Sequence, residues 1–153
     1  AKDAGEAANR MLHRRYGIQA LALRLSCVTP VDTLARNGGP PDDQRVRIFW
    51  SYVDPRDAAR AFRLAVETGG LGAESFYICA DDTAAQSPTP ELLQRYYPRT
   101  EVRRGLDGFA AVVANGKAAE QLGFRPRYSW RDAETCTENT PAGPENGHPT
   151  PSW

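Results

Sequence analysis

"YVDPRDAARAFRLAVETGG", Tyr52–Gly70, decides the fold. Asp54 is a good helix N-cap, Pro55 suits the first helical position, and Asp57 at the third can reach back to the helix start. Ala58, Ala61, Phe62 and Ala65 recur at helical spacing as a stripe to be buried, and Gly69 is the stop. Immediately upstream, "RVRIFWSYV" (Arg45–Val53) alternates and carries aromatic and β-branched residues, which predicts a strand. Downstream, "SFYICA" (Ser75–Ala80) predicts another. Strands alternating with helices point to an α/β architecture.

Working outward, "AKDAGEAANRMLHRRYG" (Ala1–Gly17) predicts a helix. Ala4, Ala7, Ala8, Met11 and Leu12 form its candidate buried face, Gly17 ends it, and Arg14 and Arg15 suit its negative pole. No capping serine, threonine or aspartate precedes Ala1. "IQALALRLSCV" (Ile18–Val28) is a nearly continuous apolar run between Gly17 and Pro30, expected as a strand buried on both faces of a parallel sheet. "ARNGGPPDDQ" (Ala35–Gln44) reads as a loop. "SPTPELLQRYYP" predicts a short helix entered through Thr89 and Pro90 and ended by Pro98. "EVRRGLDGF" reads as irregular or extended, and "NGKAAEQLGF" as a helix closed by Gly123. From Ala133 onward there is almost nothing to bury and four prolines interrupt the chain, so residues 133–153 are expected to be a disordered tail.

The 153 residues, 41% hydrophobic and 25% charged, suit one globular domain with a modest core. Nineteen basic residues balance nineteen acidic ones, which argues against a nucleic-acid binder driven by phosphate contacts. No apolar run approaches the roughly 20 residues that span a bilayer, and no signal segment opens the chain. Cys27, Cys79 and Cys136 show no C-x-x-C spacing, so they read as reduced thiols of a cytoplasmic protein rather than a disulfide framework or zinc site.

A dinucleotide phosphate cradle needs a glycine fingerprint between a strand and a helix. "GGLGAES" (Gly69–Ser75) has Ser75 where the third glycine belongs and follows a helix instead of preceding one, so it reads as a turn. His13 and His148 are the two histidines, one on an arginine-rich helix and one in the tail, which disfavours a histidine triad or metal site. The acid pairs Asp42–Asp43 and Asp81–Asp82 read as turn residues. "RNGGPPDD" is either a surface turn or a shortened substrate loop.

Taken in order, "AK" with "AGEAANRMLHRRYG", "LALRLSCVTP", "WSYVDPRDAARAFRLAVE", "FYICADD" and "NGKAAEQLGFRPRYSW" resemble the second half of the extended short-chain dehydrogenase/reductases, in particular the NAD-dependent epimerase/dehydratase family. The resemblance covers residues 1–132. It implies the C-terminal part of a Rossmann-type, NAD(P)-binding fold with a small substrate-binding lobe, truncated before the catalytic tyrosine. In that family a Tyr-x-x-x-Lys motif lies at the start of the helix, and Lys2 falls on the lysine; the tyrosine would stand four residues earlier. By itself Lys2 reads as an exposed helix-terminal lysine. The resemblance implies that it holds the nicotinamide ribose and, as a nearby cation, favours the phenolate that serves as general base.

The resemblance further implies that Ser26, Cys27 and Val28 lie against the cofactor, with Cys27 also facing substrate, although the family often has asparagine there. It places Tyr52 toward a nucleotide, Arg104 on a diphosphate and Asp107 on a ribose hydroxyl; Trp50 replaces an arginine of some nucleotide-sugar epimerases. Asp57 matches a structural aspartate of the family. The stretch between "SCVTP" and "FWSYV" is shorter than a nucleotide-sugar insert. The implied activity is that of an NAD(P)-dependent sugar or nucleotide-sugar epimerase or dehydratase acting through a keto intermediate, with NAD or NADP as cofactor. Two alternatives stay open: a single-step NAD(P)-dependent reductase or dehydrogenase, and a non-catalytic dinucleotide-binding sensor or interaction module. A small-molecule substrate, no nucleic acid, no membrane and a homodimer are the expected partnerships. The chain alone is expected to be inactive and, with apolar faces uncovered, marginally folded, aggregating or paired.

Overall fold

The computed structural model describes residues 2–102 and 105–132. Ala1, Arg103, Arg104 and the expected tail lie outside the described residues, as do Cys136 and His148. In chain order the elements are α1 (Lys2–Tyr16), β1 (Ala22–Leu25), β2 (Cys27–Val28), α2 (Val31–Arg36), β3 (Tyr52–Val53), α3 (Pro55–Glu67), β4 (Ser75–Ile78), α4 (Thr89–Tyr96) and α5 (Gly116–Leu122). The strands pair in parallel, β1 with β4 from Ala22↔Ser75 to Leu25↔Ile78, and β2 with β3 from Cys27↔Tyr52 to Val28↔Val53. The α/β expectation holds.

Ser26 is where the pairing changes hands. Its N–H donates to the Ile78 carbonyl at 3.0 Å, the last bond of the β1–β4 ladder. One residue later the same chain is paired to β3, and Ala80 N–H donates to the Tyr52 carbonyl at 2.8 Å. Strand β3 is therefore wedged between β2 and the continuation of β4. Beyond their carboxyl ends β1 and β4 no longer touch, which is the situation in which open α/β sheets form ligand crevices.

One core cluster lies between the sheet and α3 and α5. Phe76, Ile78, Val53, Ala58, Ala61, Ala118, Leu122 and Phe124 are buried there, with Leu21, Leu23 and Leu25 packed against them. Strand β1 nevertheless stays half-buried along all four residues, unlike the doubly buried strand expected. Its other face carries Arg24 beneath the polar side of α1. Helix α1 runs close to the expected bounds, but none of its residues is buried. Glu6, Asn9 and His13 are the half-buried positions, while Ala4, Ala7, Ala8, Met11 and Leu12 are exposed, the reverse of the expected orientation.

Two further expectations fail locally. "RVRIFWSYV" is not a strand over its length: Val46–Ile48 form a 3-10 turn, Arg45, Phe49 and Trp50 have positive φ, and only Tyr52–Val53 extend. Trp50 is the physical cause. Its ring is fully buried against Tyr96 and Tyr97, and its indole N–H donates to the Asp42 carbonyl at 2.7 Å, so the chain coils around it instead of running straight. Helix α2 was not expected beside the "ARNGGPPDDQ" loop. In that loop Gly39 has φ +76°, and a Cβ there would stand 2.6 Å from the Ala84 carbonyl oxygen, so only glycine permits the approach.

The Asp54–Pro55 junction is as expected, and it also does more than cap. Asp54 accepts from Arg56 N–H at 2.9 Å and from Val31 N–H at 3.1 Å, so one carboxylate closes the starts of both α3 and α2. Burial pushes its carboxyl up, but the Arg56 guanidinium and these two amides outweigh burial and hold it below the usual carboxylate range. Asp57 does not reach back to the helix start. It is buried and accepts from the Arg127 and Tyr128 amides at 2.8 and 3.1 Å, tying α3 to the last described segment. In the stripe of α3, Ala58 and Ala61 are buried and Ala65 half-buried, whereas Phe62 is exposed.

Asp57→Ala should cost about 2 kcal/mol, because it removes a buried carboxylate that accepts from two backbone amides and from Arg60, and urea denaturation would register it as a lower midpoint. Asp54 supplies an acid-sensitive contribution. Its folded-state pKa lies below the unfolded value of about 3.9, so this stability is complete above that value and is lost as pH falls through the folded one. Asp54→Asn, which keeps a capping oxygen, should flatten the acid limb of the stability–pH curve and leave a weaker cap at neutral pH.

Candidate functional site

Past Ser26, where β1 and β4 part, a hollow of about 590 Å³ opens. Lys2, Ser26, Cys27, Phe49, Tyr77 and Val113 are among the residues around it. Lys2 enters from the first turn of α1, Ser26 from the junction between β1 and β2, and Cys27 from the start of β2. Ile48 and Phe49 come from the 3-10 turn, and Val112, Val113 and Ala114 from the segment before α5.

Arg24 sets the position of Lys2. Its Nε donates to Glu6 at 2.5 Å, Nη2 to Asp3 at 3.0 Å and Nη1 to the Tyr77 hydroxyl at 3.3 Å. One guanidinium on β1 thus grips α1 at two points one turn apart and a neighbouring β4 ring, a geometry an ammonium could not reproduce. The Arg24 contact holds the Glu6 carboxyl below the usual carboxylate range. At the far end of α1, His13 Nδ1 bonds the Ile18 carbonyl at 2.8 Å and its ring sits over Gly72, a structural role. Among the described residues no cluster of His, Cys, Asp and Glu could hold a metal ion.

The other expected site residues fall differently. Val28 is paired to Val53 with its side chain exposed, and it does not line the hollow. Tyr52 is fully buried. Its hydroxyl donates to Asp82 at 2.6 Å and accepts from Trp130 N–H at 3.2 Å, so the side chain expected to face a nucleotide is turned into the core. Burial, reinforced by the Asp82 charge, pushes its phenol well above its ordinary range. Burial likewise pushes the Asp82 carboxyl up, against the Tyr52 and Ser129 hydroxyls that bond it. Asp107 is exposed on a loop and is not among the residues around this hollow. Arg104 lies outside the described residues.

Cys27 is half-buried at the hollow with its Sγ 3.5 Å from the Thr29 hydroxyl. Cys79 is buried, and burial followed by the Asp81 charge pushes its thiol up to about 12, which keeps it unreactive.

A second hollow, about 500 Å³, continues from the first and shares Phe49, Val112, Val113 and Ala114 with it. Sequence reasoning missed this wall. "AAVV" (Ala110–Val113) is an apolar run with neither helical nor strand period, and an apolar run without a regular element was the available signal. Nothing in the sequence marked Phe49, because its placement follows from the positive φ that Trp50 burial imposes next to it.

No family model and no curated protein matches the chain. Among solved structures, that of RMD from Pseudomonas aeruginosa complexed with NADPH aligns with 84% of this chain and 50% of its own, at 13% identity and TM-score 0.50. The fold is Rossmann-type. Two further structures align more loosely. UDP-N-acetylglucosamine 4-epimerase from Bacillus cereus gives 15% identity, 82% and 44% coverage and TM-score 0.48. DesIV (dTDP-glucose 4,6-dehydratase) from Streptomyces venezuelae with NAD and TYD bound gives 19%, 86% and 46%, and 0.44. The chain spans about half the length of these structures. No helix among the described residues is long and apolar enough to cross a membrane.

Arg24→Gln should loosen α1 from β1. Amide hydrogen exchange would show it as roughly tenfold faster exchange across Ala7–Leu12, with β4 unchanged.

Proposed function

We propose that this chain forms the nicotinamide- and substrate-facing side of an NAD(P)-dependent enzyme of the epimerase/dehydratase type, interconverting a hydroxyl and a carbonyl. The observation that carries the reading is the hollow that Lys2 and Ser26 line together at the divergence of β1 and β4. The Rossmann-type fold and the NADPH-complexed neighbour support it.

The residues fit one end of the cofactor. Lys2 would hold a ribose hydroxyl, and its positive charge would lower the pKa of a phenol placed beside it. Ser26 would orient a carboxamide or carbonyl oxygen by hydrogen bonding, while Leu25, Ile48 and Val113 exclude water. When bound, the nicotinamide supplies hydride transfer to or from the substrate carbon. The pyrophosphate finds no comparable fit among the described residues. The starts of α2 and α3, where an anion would otherwise be attracted, are both occupied by the Asp54 carboxylate. The roles of Cys27 beside substrate, of Arg104 and Asp107 on a nucleotide, and of a homodimer belong to this proposal, as does a cytoplasmic location. A single-step reductase shares the site and is the second reading, favoured by the apolar residues Phe49, Val112 and Val113 where the two hollows meet.

The chain by itself should be catalytically silent and should bind nicotinamide mononucleotide weakly, in the millimolar range, with NMR shifts at Lys2, Ser26 and Cys27 that Lys2→Met abolishes. Intact NAD should bind no more than a few-fold tighter, because the adenosine half gains no phosphate contact. Micromolar NAD binding by calorimetry, or shifts remote from Lys2, would refute the assignment.

A further inference from the structure

The turn that buries Trp50 also fixes Phe49, and it does so at a conformational cost. Both residues have a φ of 53°, a left-handed conformation that glycine adopts freely and a residue with a Cβ does not. For Trp50 the packing explains it: the ring is fully buried against Tyr96 and Tyr97, and its indole N–H is bonded to the Asp42 carbonyl. Phe49 is only half-buried, and it lines the hollow at the divergence of β1 and β4. Resting on the reading above, we infer that Phe49 is part of the cofactor site, its ring stacking against the nicotinamide ring held between Lys2 and Ser26.

The turn is held from several sides. Phe49 N–H donates to the Val46 carbonyl at 3.0 Å, and Trp50 N–H to the Arg45 carbonyl at 3.1 Å. The Trp50 carbonyl accepts from Ala84 N–H at 2.8 Å, and the Val46 carbonyl from the Tyr97 hydroxyl at 2.6 Å. Strained backbone that its surroundings over-determine in this way concentrates at ligand sites. Glycine would make the Phe49 turn without the strain, so the phenyl ring is stabilised by what it touches. Tyr97 supplies one such contact, at a centroid distance of 5.1 Å and an interplanar angle of 31°. A ligand in the hollow supplies the other.

The hollow suits a flat ring anchored at both ends. Lys2 and Ser26 are the polar groups that the reading places on the ribose and the carboxamide, and the nicotinamide ring is what joins those two. Leu25, Ile48 and Val113 are apolar lining residues beside it. Among the described residues, the aromatic side chains lining the hollow are Phe49 and Tyr77. The Tyr77 hydroxyl is bonded by Arg24, whose guanidinium also stands 5.5 Å from the Tyr77 ring centre, so that ring is already engaged. Phe49 remains as the aromatic surface for the ligand. Aromatic pairs prefer offset or edge-on contact with centroids about 4.5–7 Å apart. A ring pinned by Tyr97 offers that contact without first having to be ordered.

The test is an NMR titration of the full 153-residue chain with oxidised nicotinamide mononucleotide, and with ribose 5-phosphate as the control that lacks the ring. The nicotinamide ring protons should move upfield on binding and show contacts to the Phe49 ring, and ribose 5-phosphate should give no shift at Phe49. Phe49→Leu, which keeps an apolar side chain, should weaken the mononucleotide about fivefold and abolish the upfield shifts. Phe49→Gly should weaken it as much while leaving the urea midpoint nearly unchanged, because relief of the strained φ offsets the lost ring. Unchanged affinity in Phe49→Leu, with the shifts at Lys2 and Ser26 intact, would overturn this inference and leave the reading standing. A fall in the Phe49→Gly midpoint as large as that of Asp57→Ala would assign the ring to the packing of the fold and overturn the inference too. Contacts to Phe49 without shifts at Lys2 and Ser26 would overturn the reading instead, and an absence of saturable binding to the folded chain would overturn both.

Discussion

The Arg24 guanidinium is the contact on which the site depends. Helix α1 buries no residue of its own, so hydrophobic packing does little to fix it on the sheet. Its place is set by Arg24 gripping Asp3 and Glu6 from β1, with the Tyr77 hydroxyl completing the fork, and by His13 at the other end. Exposed ion pairs contribute little stability, but a forked guanidinium contributes direction. That direction brings Lys2 to the end of β1 rather than along its flank.

The second constraint is the wedge made by β3. A strand pairing that transfers from β4 to β3 at Ser26 separates two adjacent strands without breaking the backbone ladder, because each peptide group that leaves one partner meets another. Carboxylates hold the wedge. Asp54 closes α2 and α3 together, Asp57 ties α3 to the Arg127–Tyr128 segment, and Asp82 joins Tyr52 to Ser129. These acids lie on structural duty around a groove whose own surface is largely apolar. That division explains why Tyr52, a polar aromatic, is turned into the core: its hydroxyl has a buried carboxylate to satisfy.

The exposed stripe of α1, with Met11 at 65% and Tyr16 at 67% relative exposure, shows how far amphipathic patterning can be trusted. The pattern correctly marks a helix with an apolar side. It does not say which side meets the sheet. Here the polar side does, because Arg24 stands on the strand beneath and its charge requires carboxylates.

The sequence by itself determined the elements with strong local signals. The Asp54–Pro55 helix, the helices closed by Gly17 and Gly123, the strand at Ser75–Ile78 and the α/β class all follow from caps, breakers and period, which act over a few residues. Lys2, Ser26 and Cys27 were legible as neighbours only through their place in a familiar order of segments. Only the tertiary structure decided the rest: that "RVRIFW" coils around a buried Trp50, that Val28 and Tyr52 leave the site, and that Phe49 and Ala110–Val113 wall it. Those outcomes depend on side chains distant in sequence competing for the same buried volume and the same hydrogen bonds, and no local pattern encodes that competition.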